Sequence, residues 1–174
     1  LKYLLEHNIF PEYTIIHKDR NKFPSQLSYF GKIDNIHKEY NFNLIESNSL
    51  TEQKELFLKS TIAICVGYME IISEEIFSSP NLGTLNIHCG KLPEYRGRAP
   101  ICRAIMNGDN KLIITIHKVN SKVDGGEILK EYPLEINDDD TSNILYEKCK
   151  TAIGEILIDL LSFLNLHTVH VLVL

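Results

Sequence analysis

Asn86 and His88 stand two residues apart at the end of the apolar run Gly83-Thr84-Leu85-Asn86-Ile87-His88. The run is short enough for a buried strand, and residues two apart in a strand face the same side. An amide and an imidazole therefore share one face, just before a Gly/Pro/Arg-rich loop from Cys89 to Pro100. An amide N–H stabilises an oxygen acquiring negative charge, a contact worth about 3 kcal/mol in a transition state. An imidazole titrates near neutrality and takes a proton from an incoming amine or stabilises the same oxygen. Asp124, ahead of Gly125-Gly126, is a carboxylate able to orient that imidazole and favour its cationic form. With no activated Ser or Cys evident, direct transfer of an acyl group to an amine is the economical chemistry, its rate gained by holding two substrates in line.

Each of these residues also has a plainer reading. Asn at a strand end forms turns, a lone His is often structural, and Asp before Gly-Gly is ordinarily a turn. Lys91, Arg96, Arg98 and Arg103 fall within thirteen residues of an acidic chain, which suits a phosphate-bearing substrate or simply a solvated charged loop. Cys89 beside His88, with Cys102 and His117, lacks the paired spacing of a metal site, and no metal is expected. The run Asp138-Asp139-Asp140 reads as a helix entry.

The elements that must position these groups belong to one domain of 174 residues, large enough to bury a core without disulfides or metals. Hydrophobic residues make up 44% and charged residues 24%, a globular composition that favours neither disorder nor a membrane protein. The net charge of −5 and pI near 5.8 argue against a partner that requires a broadly basic surface. Four widely spaced cysteines, Cys65, Cys89, Cys102 and Cys149, fit a reducing, cytoplasmic compartment. Neither a membrane-length apolar run nor a signal sequence is present in the chain.

Leu1, Leu4 and Leu5 read as the end of an amphipathic helix, which should have a strand before it. Strands are expected at Tyr13–Ile16, Phe42–Ile45, Thr61–Val66, Gly83–His88, Leu112–Val119 and, as an extended segment, Glu127–Ile136. Lys18 to Lys32, with Pro24 and Gly31, reads as a long loop, and Ile33 to Tyr40 as a short helix. Ser49 and Glu52 fit a capping box for a helix through Lys59. Ser73 suits the cap of a short helix through Phe77, and Pro100 the first turn of a helix to Asn107. Asp140 or Thr141 caps the longest helix, with Leu145, Cys149, Ala152, Ile153, Ile156, Leu160 and Leu164 on its stripe. Alternating strands and helices specify an α/β domain with a mainly parallel sheet, whose ligands gather at the carboxyl ends of the strands. The loops after Val66, after His88 and before Asp124 then converge on one crevice.

The residues Asn86-Ile87-His88, Leu92-Pro93-Glu94-Tyr95-Arg96-Gly97, Ala99-Pro100-Ile101, Thr115-Ile116-His117 and Asp124-Gly125-Gly126-Glu127-Ile128-Leu129 resemble, in that order, the catalytic domain of the 10-formyltetrahydrofolate-dependent formyltransferases. The resemblance is dense from Val66 to Tyr146. It implies a Rossmann-like three-layer fold and a catalytic trio of Asn86, His88 and Asp124. It implies a folate site at Gly67, Tyr68, Met69, Ile71, Ile72 and Val123, an acceptor site at Lys91, Tyr95, Arg96, Gly97 and Arg98, and a cis Leu92-Pro93 peptide. The co-substrate it implies is 10-formyltetrahydrofolate.

Three departures stand out. The family's first strand and its glycine-bearing turn have no counterpart before Leu1, Lys111-Leu112-Ile113 replaces a Thr-Gly, and the tail from Leu164 to Leu174 matches no carboxyl-terminal domain of the family. The catalytic domain is thus expected over 1–164, truncated at its start, with 165–174 unassigned. The acceptor expected is the amine of a nucleotide-linked amino sugar for surface polysaccharides. The alternatives are the methionyl group of charged initiator tRNA or, in another class, a folate- or nucleotide-binding remnant without turnover. The resemblance also allows a homodimer of the full-length protein.

Overall fold

Apolar β-branched runs separated by amphipathic stretches build a seven-stranded sheet with helices on both faces, in a computed structural model that describes residues 1–19 and 27–174. The strands are β1 (Tyr13–His17), β2 (Leu44–Ser47), β3 (Ala63–Val66), β4 (Thr84–His88), β5 (Lys111–Lys118), β6 (Ile128–Glu135) and β7 (Val171–Val173). The helices are α1 (Lys2–Glu6), α2 (Leu27–Tyr40), α3 (Lys54–Lys59), α4 (Glu74–Phe77), α5 (Pro100–Met106) and α6 (Ser142–Phe163). The spatial order is β2-β1-β7-β3-β4-β5-β6. Strands β2 through β4 pair in parallel, while β5 and β6 run antiparallel.

The sheet centre is supplied by the end of the chain. Tail residues 171–173, for which the sequence pattern offered no role, pair in parallel with β1 on one side and β3 on the other. Val171, Leu172 and Val173 are fully buried. Leu172 faces the larger core with Leu4, Ile33, Ile101 and Leu145 from α1, α2, α5 and α6. Val171 and Val173 face the smaller core with Phe57 and Ile76 from α3 and α4. Each such burial contributes about 1.5–3 kcal/mol, so three residues anchor both layers.

Local chemistry explains most element ends and moves a few. The expected loop over Lys18–Lys32 is shorter: residues 20–26 lie outside the described residues, and α2 already begins at Leu27. Gly31 lowers helix propensity by only about 1 kcal/mol and does not end a helix. Strand β2 lies two residues later than expected, at Leu44–Ser47. Ser49 caps a 3₁₀ turn at Leu50–Gln53 by accepting from the Thr51 amide, one residue nearer than in a capping box. Glu52 reaches back to the Ser47 hydroxyl and the Asn48 amide. Ser73 precedes α4 without a side-chain cap bond, whereas Thr141 Oγ1 caps α6 from the Ile144 amide. Gly154 has a packing reason within α6. A Cβ there would lie 2.5 Å from Tyr3 Cγ, so α1 docks where this side chain is absent.

Candidate active site

The antiparallel turn of the sheet makes the site. Register pairs Asn86 with His117 and His88 with Thr115 across β4 and β5, so β4 presents its two polar side chains beside two more from β5. The β3–β4 register aligns Cys65 with Asn86 and Val66 with Ile87, and Gly67 leaves the sheet at the level of His88. The loop after β5 brings in Asp124, whose φ of 45° is left-handed, a conformation that Asp tolerates better than most residues. Asn86, His88 and Asp124, each placed in the trio from the sequence, are brought together here.

His88 is buried, and its Nε2 lies 2.8 Å from the Tyr95 carbonyl oxygen. A carbonyl only accepts, so Nε2 carries the proton. Nδ1 is then the basic nitrogen, 3.7 Å from Asp124 Oδ2. Burial lowers the His88 pKa, with His117 and Arg103 pushing the same way, while the Tyr95 carbonyl and Asp124 oppose the shift. The imidazole at rest is neutral, with a free lone pair toward Asp124.

Asp124 is held the other way. Burial alone would raise its carboxyl, but the His117 ring at 3.5 Å, the Gly97 amide at 2.8 Å and the His88 imidazole bring it down to about 2. It is a carboxylate throughout the physiological range. The loop that orients His88 also orients Asp124, since Arg96 Nε donates to the Asp124 carbonyl oxygen at 3.0 Å. Asn86 Nδ2 donates to His117 Nε2 at 3.1 Å and, at greater length, to Asp124 Oδ1 at 3.3 Å. His117 Nδ1 donates to the Lys118 carbonyl, which leaves Nε2 as acceptor and fixes which way the Asn86 amide points.

Two residues were assigned too little by the sequence pattern. His117 stood out only as part of a motif and as a weak metal candidate, because its place opposite Asn86 depends on an antiparallel pairing that periodicity does not reveal. Arg103 was grouped with the phosphate-facing basic cluster, yet it turns inward and donates to two loop carbonyls. Of the other expected acceptor residues, Lys91 is ion-paired with Glu94, Arg96 and Gly97 are engaged with Asp124, and the Tyr95 hydroxyl donates to Asp109 while accepting from Asn107. Arg98 is exposed, and among the described residues its side chain makes no hydrogen bond or ion pair.

The loop itself is tightly shaped. The Leu92-Pro93 peptide is cis. Ala99 holds a φ of 53° immediately before Pro100, where local preference is extended. Gly90 permits the fold-back: a Cβ there would lie 2.6 Å from Pro100 Cβ and 3.0 Å from His88 Nε2.

The residues assigned to folate differ in their surroundings. Tyr68 donates to Glu70 and packs with Ile72 against the smaller core. Ile71 is 83% exposed and Val123 59% exposed, apolar side chains open to solvent. A recess of about 440 Å³ opens beside Tyr95 among Lys91, Glu94, Asn107 and Asp109. No member of the trio lines it, so a reacting carbon placed there would not meet them. Cys89 and Cys149 are free thiols whose mutual interaction pushes Cys89 down and Cys149 up. Among the described residues no helix is long and apolar enough to cross a membrane.

The family model described as "Formyl transferase" matches residues 24–161. A methionyl-tRNA formyltransferase of Wigglesworthia glossinidia brevipalpis is 36% identical over 124 residues, which is 68% of this chain and 39% of that protein. The chain thus spans well under half of that relative's length. The structure of phosphoribosylglycinamide formyltransferase from Streptococcus pneumoniae TIGR4 matches with a TM-score of 0.65 at 21% identity, over 88% of this chain and 98% of that one. The formyltransferase PseJ from Anoxybacillus kamchatkensis, solved with UDP-4,6-dideoxy-4-formamido-L-AltNAc and tetrahydrofolate, matches with a TM-score of 0.60 at 20% identity, over 84% and 72%. At these identities the two structures speak for the fold.

Proposed function

This chain belongs to the formyl transferase family, and from that premise we propose that it moves a formyl group from 10-formyltetrahydrofolate to the primary amine of a nucleotide-linked amino sugar. The observation that carries the reading is the free Nδ1 lone pair of His88, 3.7 Å from a permanently charged Asp124 and on the same strand face as the Asn86 amide. The acceptor amine attacks the formyl carbon as His88 Nδ1 takes its proton. The formyl oxygen becomes an oxyanion and accepts from Asn86 Nδ2, exchanging for the longer of the two bonds that amide makes at rest. Asp124 stabilises the imidazolium so formed. As the bond from the formyl carbon to folate N10 breaks, the same proton passes to N10. One C–N bond forms, one breaks, and one proton moves from amine to amine.

Gly67, Tyr68, Met69, Ile71, Ile72 and Val123 would hold the pterin, with Ile71 and Val123 supplying apolar surface and the backbone supplying polar contacts. Arg98 is the side chain of the basic loop left without a partner among the described residues, and it suits a diphosphate. The chain's net charge of −5 and the nucleotide sugar held by PseJ favour this acceptor. The 36% identity to a methionyl-tRNA formyltransferase favours a second reading, transfer to the methionyl amine of charged tRNA. Incubation of the protein with 10-formyltetrahydrofolate and either UDP- and dTDP-linked amino sugars or methionyl-tRNA separates them. Formamido sugar product with no formyl-methionyl-tRNA is expected. The opposite pattern replaces the first acceptor with the second, and folate binding without either product removes formyl transfer.

A further inference from the structure

Arg103 lies within α5, and its guanidinium points back under the loop it follows. Its Nη2 donates to the Tyr95 carbonyl at 2.8 Å and to the Arg96 carbonyl at 2.6 Å. The guanidinium carbon is 5.5 Å from the centre of the Tyr95 ring. Nε is buried without a hydrogen-bond partner, and among the described residues the group is in no ion pair. A guanidinium does not give up its proton. A full positive charge therefore rests on two consecutive loop carbonyls with no carboxylate to neutralise it.

Those two residues are the ones the site hangs on. The Tyr95 carbonyl also accepts from His88 Nε2. Arg96 Nε and the Gly97 amide hold the backbone and the carboxylate of Asp124. We propose that Arg103 is a positioning residue for formyl transfer, gripping the Tyr95 and Arg96 carbonyls so that one loop orients His88 and Asp124 together. This rests on the formyltransferase reading above. Its charge has a second effect, because the carbonyl shared by Arg103 and His88 is drawn on by a cation and supports an imidazolium less well. The groups facing His88 are then Asp124 from the loop after β5, His117 from β5 and Arg103 from α5, and only Asp124 favours the charged ring. Loss of the Arg103 charge should leave His88 protonated to higher pH and so move the acid limb of kcat/KM upward.

Two variants divide the roles. Arg103→Gln keeps an N–H donor without charge, and Arg103→Lys keeps charge without the fork. NMR titration of His88 in the unliganded protein reads the electrostatic part without any assay of turnover. The midpoint is expected to rise by about half a pH unit in Arg103→Gln and to stay within about 0.2 unit in Arg103→Lys. In steady-state assays both variants should lose about tenfold or more in kcat, with KM for 10-formyltetrahydrofolate within about twofold. A purely structural staple would leave the His88 midpoint unmoved in Arg103→Gln, and that result, or kcat within twofold of the parent in either folded variant, overturns the proposal. Should the parent protein transfer no formyl group, the functional reading fails while the titration still decides whether Arg103 sets the state of His88.

Discussion

Strand β7 and strand β4 are both buried, both pair on two sides, and meet opposite demands. Strand β7 carries Val171, Leu172 and Val173, whose side chains ask only for apolar neighbours on alternate faces. Strand β4 carries Asn86 and His88, whose side-chain N–H groups each have a named partner: Tyr95 O for His88 Nε2, and His117 Nε2 with Asp124 Oδ1 for Asn86 Nδ2. A buried polar group without a partner costs about 1–3 kcal/mol, whereas an apolar side chain is satisfied by volume. The sheet centre therefore asks of its strand only apolar side chains on both faces. The site asks for more, because its partners must arrive from β5, the loop after β4 and the loop after β5 at set positions.

That contrast can be broken at either strand. Leu172→Ala should cost about 2–5 kcal/mol of unfolding free energy, measured by urea denaturation, because the cavity opens at the middle of the larger core. The kcat of the folded fraction should hardly change, and a large loss of kcat at full folding would mean that β7 also shapes the site. Asp124→Asn should do the reverse, with about 100-fold lower kcat and a smaller loss of stability than Leu172→Ala. Asp124 has its folded pKa lowered from 3.8 to about 2, so its contribution to stability is fully present above pH 3.8 and is lost as pH falls toward 2. Acid titration monitored by circular dichroism should show that late loss in the parent and not in Asp124→Asn. For the same reason the acid limb of kcat/KM belongs to His88, with a midpoint below 6.5. A limb near pH 4 would assign it to a carboxylate instead. Thr115→Val should have the smallest effect, about 0.5–1.5 kcal/mol by thermal unfolding, from the single bond between Thr115 Oγ1 and the Gly90 carbonyl.

The same contrast separates what the sequence revealed from what it hid. Asn86 and His88 were legible because period-two spacing at the end of an apolar run is a local signal, and the loop announced itself through Gly, Pro and Arg. Asp124 was legible as a carboxylate on a loop reaching the same crevice and able to orient His88, although an Asp before Gly-Gly also reads as a turn. His117 depends on the β4–β5 register, a pairing between segments about thirty residues apart whose direction periodicity does not encode. Arg103 has the composition of a surface cation, and its inward turn follows from the path of a loop in which Ala99 adopts a left-handed φ immediately before proline. The tail 165–174 was apolar but unplaced, since nothing in its pattern says that it lies between β1 and β3. Leu27 to Lys32 was hidden by polar neighbours that outweighed its helix propensity.

The central claim is that His88 takes the proton of the acceptor amine while folate is held by other residues. Its most direct test compares His88→Ala with the parent protein in single-turnover formyl transfer from 10-formyltetrahydrofolate to an amino sugar nucleotide, alongside calorimetric binding of a stable formyl-folate analogue. The account predicts a rate lower by about 100-fold or more with binding of the analogue preserved. A rate near that of the parent protein would contradict it.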